Sequence, residues 1–160
     1  MKMIVATDLW WGIGYKNELL YHIRADLRRF RELTLNQPIV MGRKTFESLP
    51  AGALPSRRNI VITHDVNFSA PNVEVVHSCE EAVKLVDNKG WVIGGGSIYA
   101  KMLEYTTTIE LTRIHKVSPN IDTWFPNLDL LKGWKIDNAS EVHIENGLKY
   151  QFVTYNRYPH

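Results

Sequence analysis

The chain has 160 residues, 44% hydrophobic and 22% charged, a size and composition suited to a single domain spanning 1–160 with one core. Its 19 basic and 17 acidic residues are spread along the sequence and leave a formal charge of +2, which excludes a nucleic-acid footprint built on one basic stripe. No run of about 18 apolar residues points to a membrane, and the lone Cys79 can form no internal disulfide, so a soluble protein of the reducing cytoplasm is expected.

In chain order, β-rich runs occur at Met3 to Ala6, Pro38 to Met41, Asn59 to Thr63, Val73 to His77, Trp91 to Ile93 and Thr108 to Ile114. Several are nearly continuous in Ile and Val, as strands covered on both faces of a mostly parallel sheet are. Helices are expected between them: Arg24 to Leu35, a short one from Arg43 to Leu49, Ser78 to Val86 behind a Ser78/Glu81 capping box, and Ser97 to Tyr105 after three glycines. The C-terminal part alternates instead, in runs Trp134 to Ile144 and Lys149 to Tyr158 that flank Glu145-Asn146-Gly147, where Asn-Gly signals a hairpin. The fold class is therefore α/β: a three-layer domain with a mainly parallel central sheet, helices on both faces and a C-terminal antiparallel hairpin.

One carboxylate breaks the pattern. On the helix from Arg24, residues Ile23, Leu27, Phe30 and Leu33 form an apolar stripe, and Arg24, Arg28, Arg31 and Glu32 point away from it. Asp26 falls within the stripe. Either it complements the helix dipole in the first turn, or the stripe lines a cleft, where desolvation leaves the carboxyl poised to handle a proton or grip a cationic heterocycle.

Two strands end in glycine and run straight into helices, a geometry that offers backbone N–H groups to phosphates. The first turn reads Gly42-Arg43-Lys44-Thr45. Cations there oppose the helix dipole, which favours a bound anion. The second reads Ile93-Gly94-Gly95-Gly96-Ser97-Ile98-Tyr99 and is no Rossmann fingerprint, because Tyr99 stands where the third glycine belongs. With no acid at the end of the next strand to hold a ribose hydroxyl, the cations suggest a 2′-phosphate, hence NADP over NAD. Arg57 is either an exposed arginine or a clamp for a substrate carboxylate. The six histidines include no i, i+4 pair and there is no second cysteine, so no metal is expected.

Read together, the blocks Trp11-Gly-Ile-Gly14 with Asn17, Ala25-Asp26-Leu27 with Phe30, Thr34 to Ser48, Leu54 to Thr63, Ile93 to Tyr99, Leu111-Thr112 and Asp122 to Pro126 resemble the dihydrofolate reductase family, in order from Met1 to about Pro126. The resemblance implies an NADPH-dependent monomeric enzyme that reduces dihydrofolate to tetrahydrofolate for one-carbon metabolism and is open to antifolate inhibitors. Asp26 would then be the active-site acid, supporting protonation of N5 with Thr112 behind it. Ile4, Val5, Leu27, Phe30, Leu49 and Leu54 would line the substrate pocket, and Arg57 would hold the glutamate α-carboxylate. Cofactor contacts implied in the same way are Ala6, Ile13, Gly14, Asn17, Leu19, Gly42, Arg43, Lys44, Thr45, Thr63, His64, Ile93, Gly94, Gly95, Gly96, Ser97, Ile98 and Tyr99, with a cis Gly94-Gly95 peptide. The segment Leu9 to Ile23 would be a loop closing over the nicotinamide. The chain departs from the family at Leu20-Tyr21, where members usually carry Pro-Trp, and at Arg24, where a second proline is common.

Overall fold

A computed structural model describes residues 1–159. The elements follow as β1 (Lys2–Thr7), β2 (Gly12–Tyr15), β3 (Glu18–Leu19), α1 (Arg24–Thr34), β4 (Pro38–Gly42), α2 (Arg43–Glu47), β5 (Arg58–Ile62) and β6 (Val73–Val76). Then come α3 (Cys79–Leu85), β7 (Trp91–Gly94), α4 (Gly96–Met102), β8 (Thr108–Ile114), β9 (Thr123–Trp124), β10 (Trp134–Ala139), β11 (His143–Glu145) and β12 (Leu148–Arg157). The main sheet runs β10-β12-β8-β1-β7-β4-β5-β6, with β11 also paired to β12. From β8 to β6 every pairing is parallel, and β12 joins antiparallel on β8.

The apolar runs still alternate in where they point. Met3, Val5, Val40, Ile60, Ile62, Val92 and Leu111 join a cluster with Ala82 and Val86 around α3 and with Ile98 and Met102 of α4. Their neighbours Ile4, Ile39, Met41, Val61 and Trp91 join another with Phe30 and Leu33 of α1. A residue shift of one crosses the sheet, as the two-residue period of a strand requires. Both faces of the parallel strands are therefore covered, and three layers result.

Two expectations change. The run Trp134 to Ile144 is not one strand, because the register slips between Ile136 and Asn138 and the ladder breaks after Ala139. Ser140 bridges the break: its N–H donates to the Phe152 carbonyl at 2.8 Å and its Oγ accepts from Phe152 N–H at 2.9 Å. Beyond it, β11 and β12 form the expected hairpin, with Asn146 and Gly147 at φ 49° and 80°. The second change concerns Leu9 to Ile23. It is not a bare loop: β2 and β3 form a hairpin turning at Lys16 and Asn17, φ 50° and 62°, and β9 completes a small separate sheet.

Candidate active site

Parallel strands β1, β7 and β4 lie side by side, so their C-terminal ends open one crevice, the usual ligand position in α/β sheets. Asp26 lies on α1, whose Phe30 and Leu33 pack on these strands. Thr112 Oγ1 donates to Asp26 Oδ1 at 2.6 Å, and Thr112 is buried on β8 beside Ala6 of β1. Asp26 stands in the first turn of α1, but the first N–H groups of that helix are taken by another carboxylate. Glu145, from the C-terminal hairpin, accepts from Arg24 N at 2.6 Å and Ala25 N at 3.2 Å. Burial pushes the Asp26 carboxyl above the usual carboxylate range, against the opposing effects of the Thr112 hydrogen bond and the Arg29 charge.

Most of the expected substrate-pocket residues come together. Phe30, Leu49 and Leu54 pack on the cluster that contains Ile4. Leu27 lies at the rim, 51% exposed, so the stripe on α1 is only partly covered by protein. Val5 is a correction: on the adjacent position of β1 its side chain points through the sheet into the opposite core, so it does not line the cleft. Arg57 is half-buried and held from two sides. Its Nη1 donates to Thr34 Oγ1 at 3.1 Å and its Nε to the Pro55 carbonyl at 3.0 Å. Among the described residues it has no carboxylate partner, whereas neighbouring Arg58 is locked to Glu74 by two bonds of 3.0 and 2.8 Å.

The two glycine turns meet. A Cβ on Gly95 would lie 3.2 Å from Thr45 Oγ1, and one on Gly42 would lie 3.0 Å from Ile98 Cγ1. Gly94 sits at φ 128°, open to glycine and costly to other residues, and the Gly94-Gly95 peptide is cis as expected. Neither α2 nor α4 has a side-chain cap, so their first N–H groups face the crevice unclaimed by side chains. Tyr99 is buried, and its hydroxyl donates to the Ile4 carbonyl at 2.7 Å, joining α4 to the strand that lines the pocket. Ile93, half-buried, packs on the Ile4 cluster; Lys44, His64 and Ser97 are exposed.

Ala6, Ile13 and Leu19 line a small cavity with Tyr21 and Ile114, which brings the hairpin of the small sheet against the end of β1. Gly14 pairs with Leu19 and Thr123, and Asn17 Nδ2 reaches the Lys44 carbonyl at 3.5 Å. Arg43 is already engaged: Nη1 meets Asp65 at 2.9 Å, Nε meets Glu47 at 3.5 Å, and the guanidinium covers Phe68 at 4.8 Å. Thr63 Oγ1 accepts from Asp65 N at 3.2 Å.

Four residues were missed by sequence reasoning. Asp65 is an acid beside the expected 2′-phosphate pocket, paired with Arg43, and it follows β5, the strand after the first glycine turn and not the second. Asp8, only 2% exposed, accepts from Trp10 N, Gly12 N and Ser118 N at 2.9, 2.9 and 3.0 Å and pins the start of the loop segment to the stretch after β8. Asn59, a polar residue opening an apolar strand, fixes the Leu54–Arg57 turn through bonds of 2.9 Å to Leu54 and Arg57 main chain. Thr34, fully buried, donates to the Phe30 carbonyl at 2.7 Å while accepting from Arg57. An uncharged polar residue next to apolar neighbours, Ile60 for Asn59 and Leu33 and Leu35 for Thr34, was the available signal for both.

The family model for dihydrofolate reductase matches residues 1–157. The chain is similar to dihydrofolate reductase of Mycobacterium tuberculosis, 38% identical over 91% of this chain and 90% of that protein. It is similar also to that of Staphylococcus haemolyticus, 35% identical over 100% and 93%. Among solved structures it resembles dihydrofolate reductase from Enterococcus faecalis complexed with NADP(H) and RAB-propyl, with a TM-score of 0.87 at 29% identity over 98% and 95% of the two chains. Fold, cleft and likenesses define an oxidoreductase of the α/β class. The chain belongs to the dihydrofolate reductase family.

Proposed function

We propose that this enzyme reduces 7,8-dihydrofolate to 5,6,7,8-tetrahydrofolate with NADPH as the reductant, that Asp26 supports protonation of N5, and that the product supplies one-carbon metabolism in the cytoplasm. One observation carries the reading: a single carboxylate on the apolar stripe of α1, held at 2.6 Å by Thr112, binds its proton more tightly than an ordinary aspartate because it is buried.

The chain suits the cofactor. A Cβ at Gly96 would lie 2.7 Å from Thr123 Cγ2, so glycine there lets the turn pack against β9, and the start of α4, which has no side-chain cap, offers its N–H groups to a pyrophosphate. Gly42 to Thr45 and Gly94 to Tyr99 would hold the phosphates, Arg43, Lys44, Thr63 and His64 the 2′-phosphate, and Ala6, Ile13, Gly14, Asn17 and Leu19 the nicotinamide half. NADPH supplies the hydride for C6 of the pterin when bound. Asp26 bonds the 2-amino-pyrimidine edge of the substrate, sets its orientation and keeps a proton available for N5, a role worth about 10²- to 10⁴-fold in rate. Thr112 fixes the carboxyl rotamer. Ile4, Phe30, Leu49 and Leu54 exclude water from the reacting rings. Arg57, held by Thr34 and Pro55 and with no acid partner among the described residues, takes the glutamate α-carboxylate. Antifolate inhibitors would share this cleft.

The test is the oxidation of NADPH, followed by absorbance, with dihydrofolate added to folded enzyme. Turnover well above the rate without dihydrofolate is expected; its absence would remove the proposal.

A further inference from the structure

A second carboxylate lies under α1, close to Asp26 but differently served. Arg29, one helical turn after Asp26 and so on the same side of α1, reaches down to Glu110, with Nη2 at 2.8 Å from Oε2. Glu110 stands two residues before Thr112 and therefore on the same face of β8. Thr154 Oγ1, from the paired position on β12, donates to the same Glu110 oxygen at 2.8 Å. The guanidinium also covers the ring of Phe152 at 4.4 Å, and Phe152 is the partner of Thr112 in the ladder. Arg29 Nη1 is buried with no hydrogen-bond partner among the described residues.

This arrangement matters because Arg29 could serve either carboxylate and has been given to Glu110. Paired in this way, its charge is largely balanced before it acts on Asp26. Of the other titratable groups on the elements packed around Asp26, Tyr99 from α4 and Tyr150 from β12 both bind their protons more tightly than free tyrosine, through burial, while Glu145 from the hairpin is engaged by the Arg24 and Ala25 N–H groups and Arg28 of α1 acts on Tyr150. Thr112 and Phe152 carry no charge. Arg29 and Glu110 are left as the adjustable pair.

Resting on the reading of Asp26 given above, we infer that Arg29 and Glu110 form a positioning pair that sets how readily Asp26 gives up its proton. Neither residue touches the substrate in this account. Glu110 competes with Asp26 for the guanidinium, and Thr154 and Phe152 hold the competition in favour of Glu110.

The experiment follows the Asp26 carboxyl carbon by NMR in ¹³C-labelled free enzyme as pH is varied, with the resonance assigned by its loss in Asp26→Asn. The pH profile of single-turnover reduction of dihydrofolate is measured alongside. Glu110→Gln, which keeps shape but frees the Arg29 charge, lowers the Asp26 midpoint by about one pH unit; Arg29→Met, which leaves Glu110 unpaired, raises it by about as much. The double variant returns the midpoint close to that of the unaltered enzyme, and Arg29→Lys stays close to it throughout. If Arg29→Met does not fold, the downward shift in Glu110→Gln with none in Arg29→Lys decides the matter. Shifts of one sign in both single variants, or a lower Tm with an unmoved midpoint, would overturn the inference and leave the pair merely structural. Opposite shifts in an enzyme that fails to turn over dihydrofolate would instead uphold the pair and remove the proposed role of Asp26.

Discussion

The two sides of the cleft are built from different materials. On the α1 side, function resides in side chains: a carboxylate, the threonine that fixes it, and an arginine without an acid partner. On the side of the glycine turns it resides in backbone, at positions where even a methyl group would be crowded. On the proposed function, a substrate with hydrogen-bonding edges would be read by side-chain chemistry, whereas a phosphate chain would be met by main-chain N–H groups at helix starts. Substitutions on the first side should change chemistry and its pH dependence. Those on the second should change cofactor binding.

The largest effect is expected at Asp26. Asp26→Asn should lower kcat by about 10²- to 10⁴-fold with little change in the KM for NADPH, and the deficit should narrow as pH falls and solvent supplies the proton. The same change should raise Tm at neutral pH. Burial raises the proton affinity of the folded carboxyl, so its ionisation opposes folding; that cost is absent below the unfolded pKa of about 4 and grows as pH rises through the folded one. Thermal melts across pH check the sign, and a cofactor KM that moved as far as kcat would erase the contrast.

Next in size is Gly96→Ala. Its Cβ would fall 2.7 Å from Thr123 Cγ2, and relief by shifting α4 or β9 should cost about 1–3 kcal/mol, read as weaker NADPH binding by calorimetry together with a lower Tm. The midpoint of the pH profile should stay where it is; movement there would show that the two sides are coupled. The smallest effect is Arg43→Ala. Loss of one charge-assisted contact should raise the KM for NADPH roughly tenfold and leave that for NADH nearly unchanged. Because Arg43 must also be shared with Asp65 and Glu47, an equal change for both cofactors would place it outside the phosphate pocket.

Residues whose meaning is local were legible before folding was considered. The apolar runs of β4 and β5, the Asn146-Gly147 turn and the misplaced carboxylate of Asp26 each declare themselves within a few positions of sequence. Long-range partnerships did not. Nothing near Asp26 announces Thr112, 86 positions away, or indicates that Glu145 would occupy the start of α1 from 120 positions away; only the family resemblance supplied the first of these. The small sheet went unforeseen for the same reason, since β2 is four residues long, β3 and β9 two each, and β9 pairs across more than a hundred positions. Val5 illustrates a subtler failure: its position on β1 was right, but a continuous apolar strand hides which side each residue serves.

The threefold grip of Asp8 on main-chain donors has an evolutionary corollary. An anchor that reads only peptide N–H groups is blind to what the anchored residues carry, so the course of the segment after β1 should survive extensive drift in its side chains. Leu20 and Tyr21, which line the cavity beside Ala6, belong to that segment and are free to vary without disturbing the Asp8 anchor.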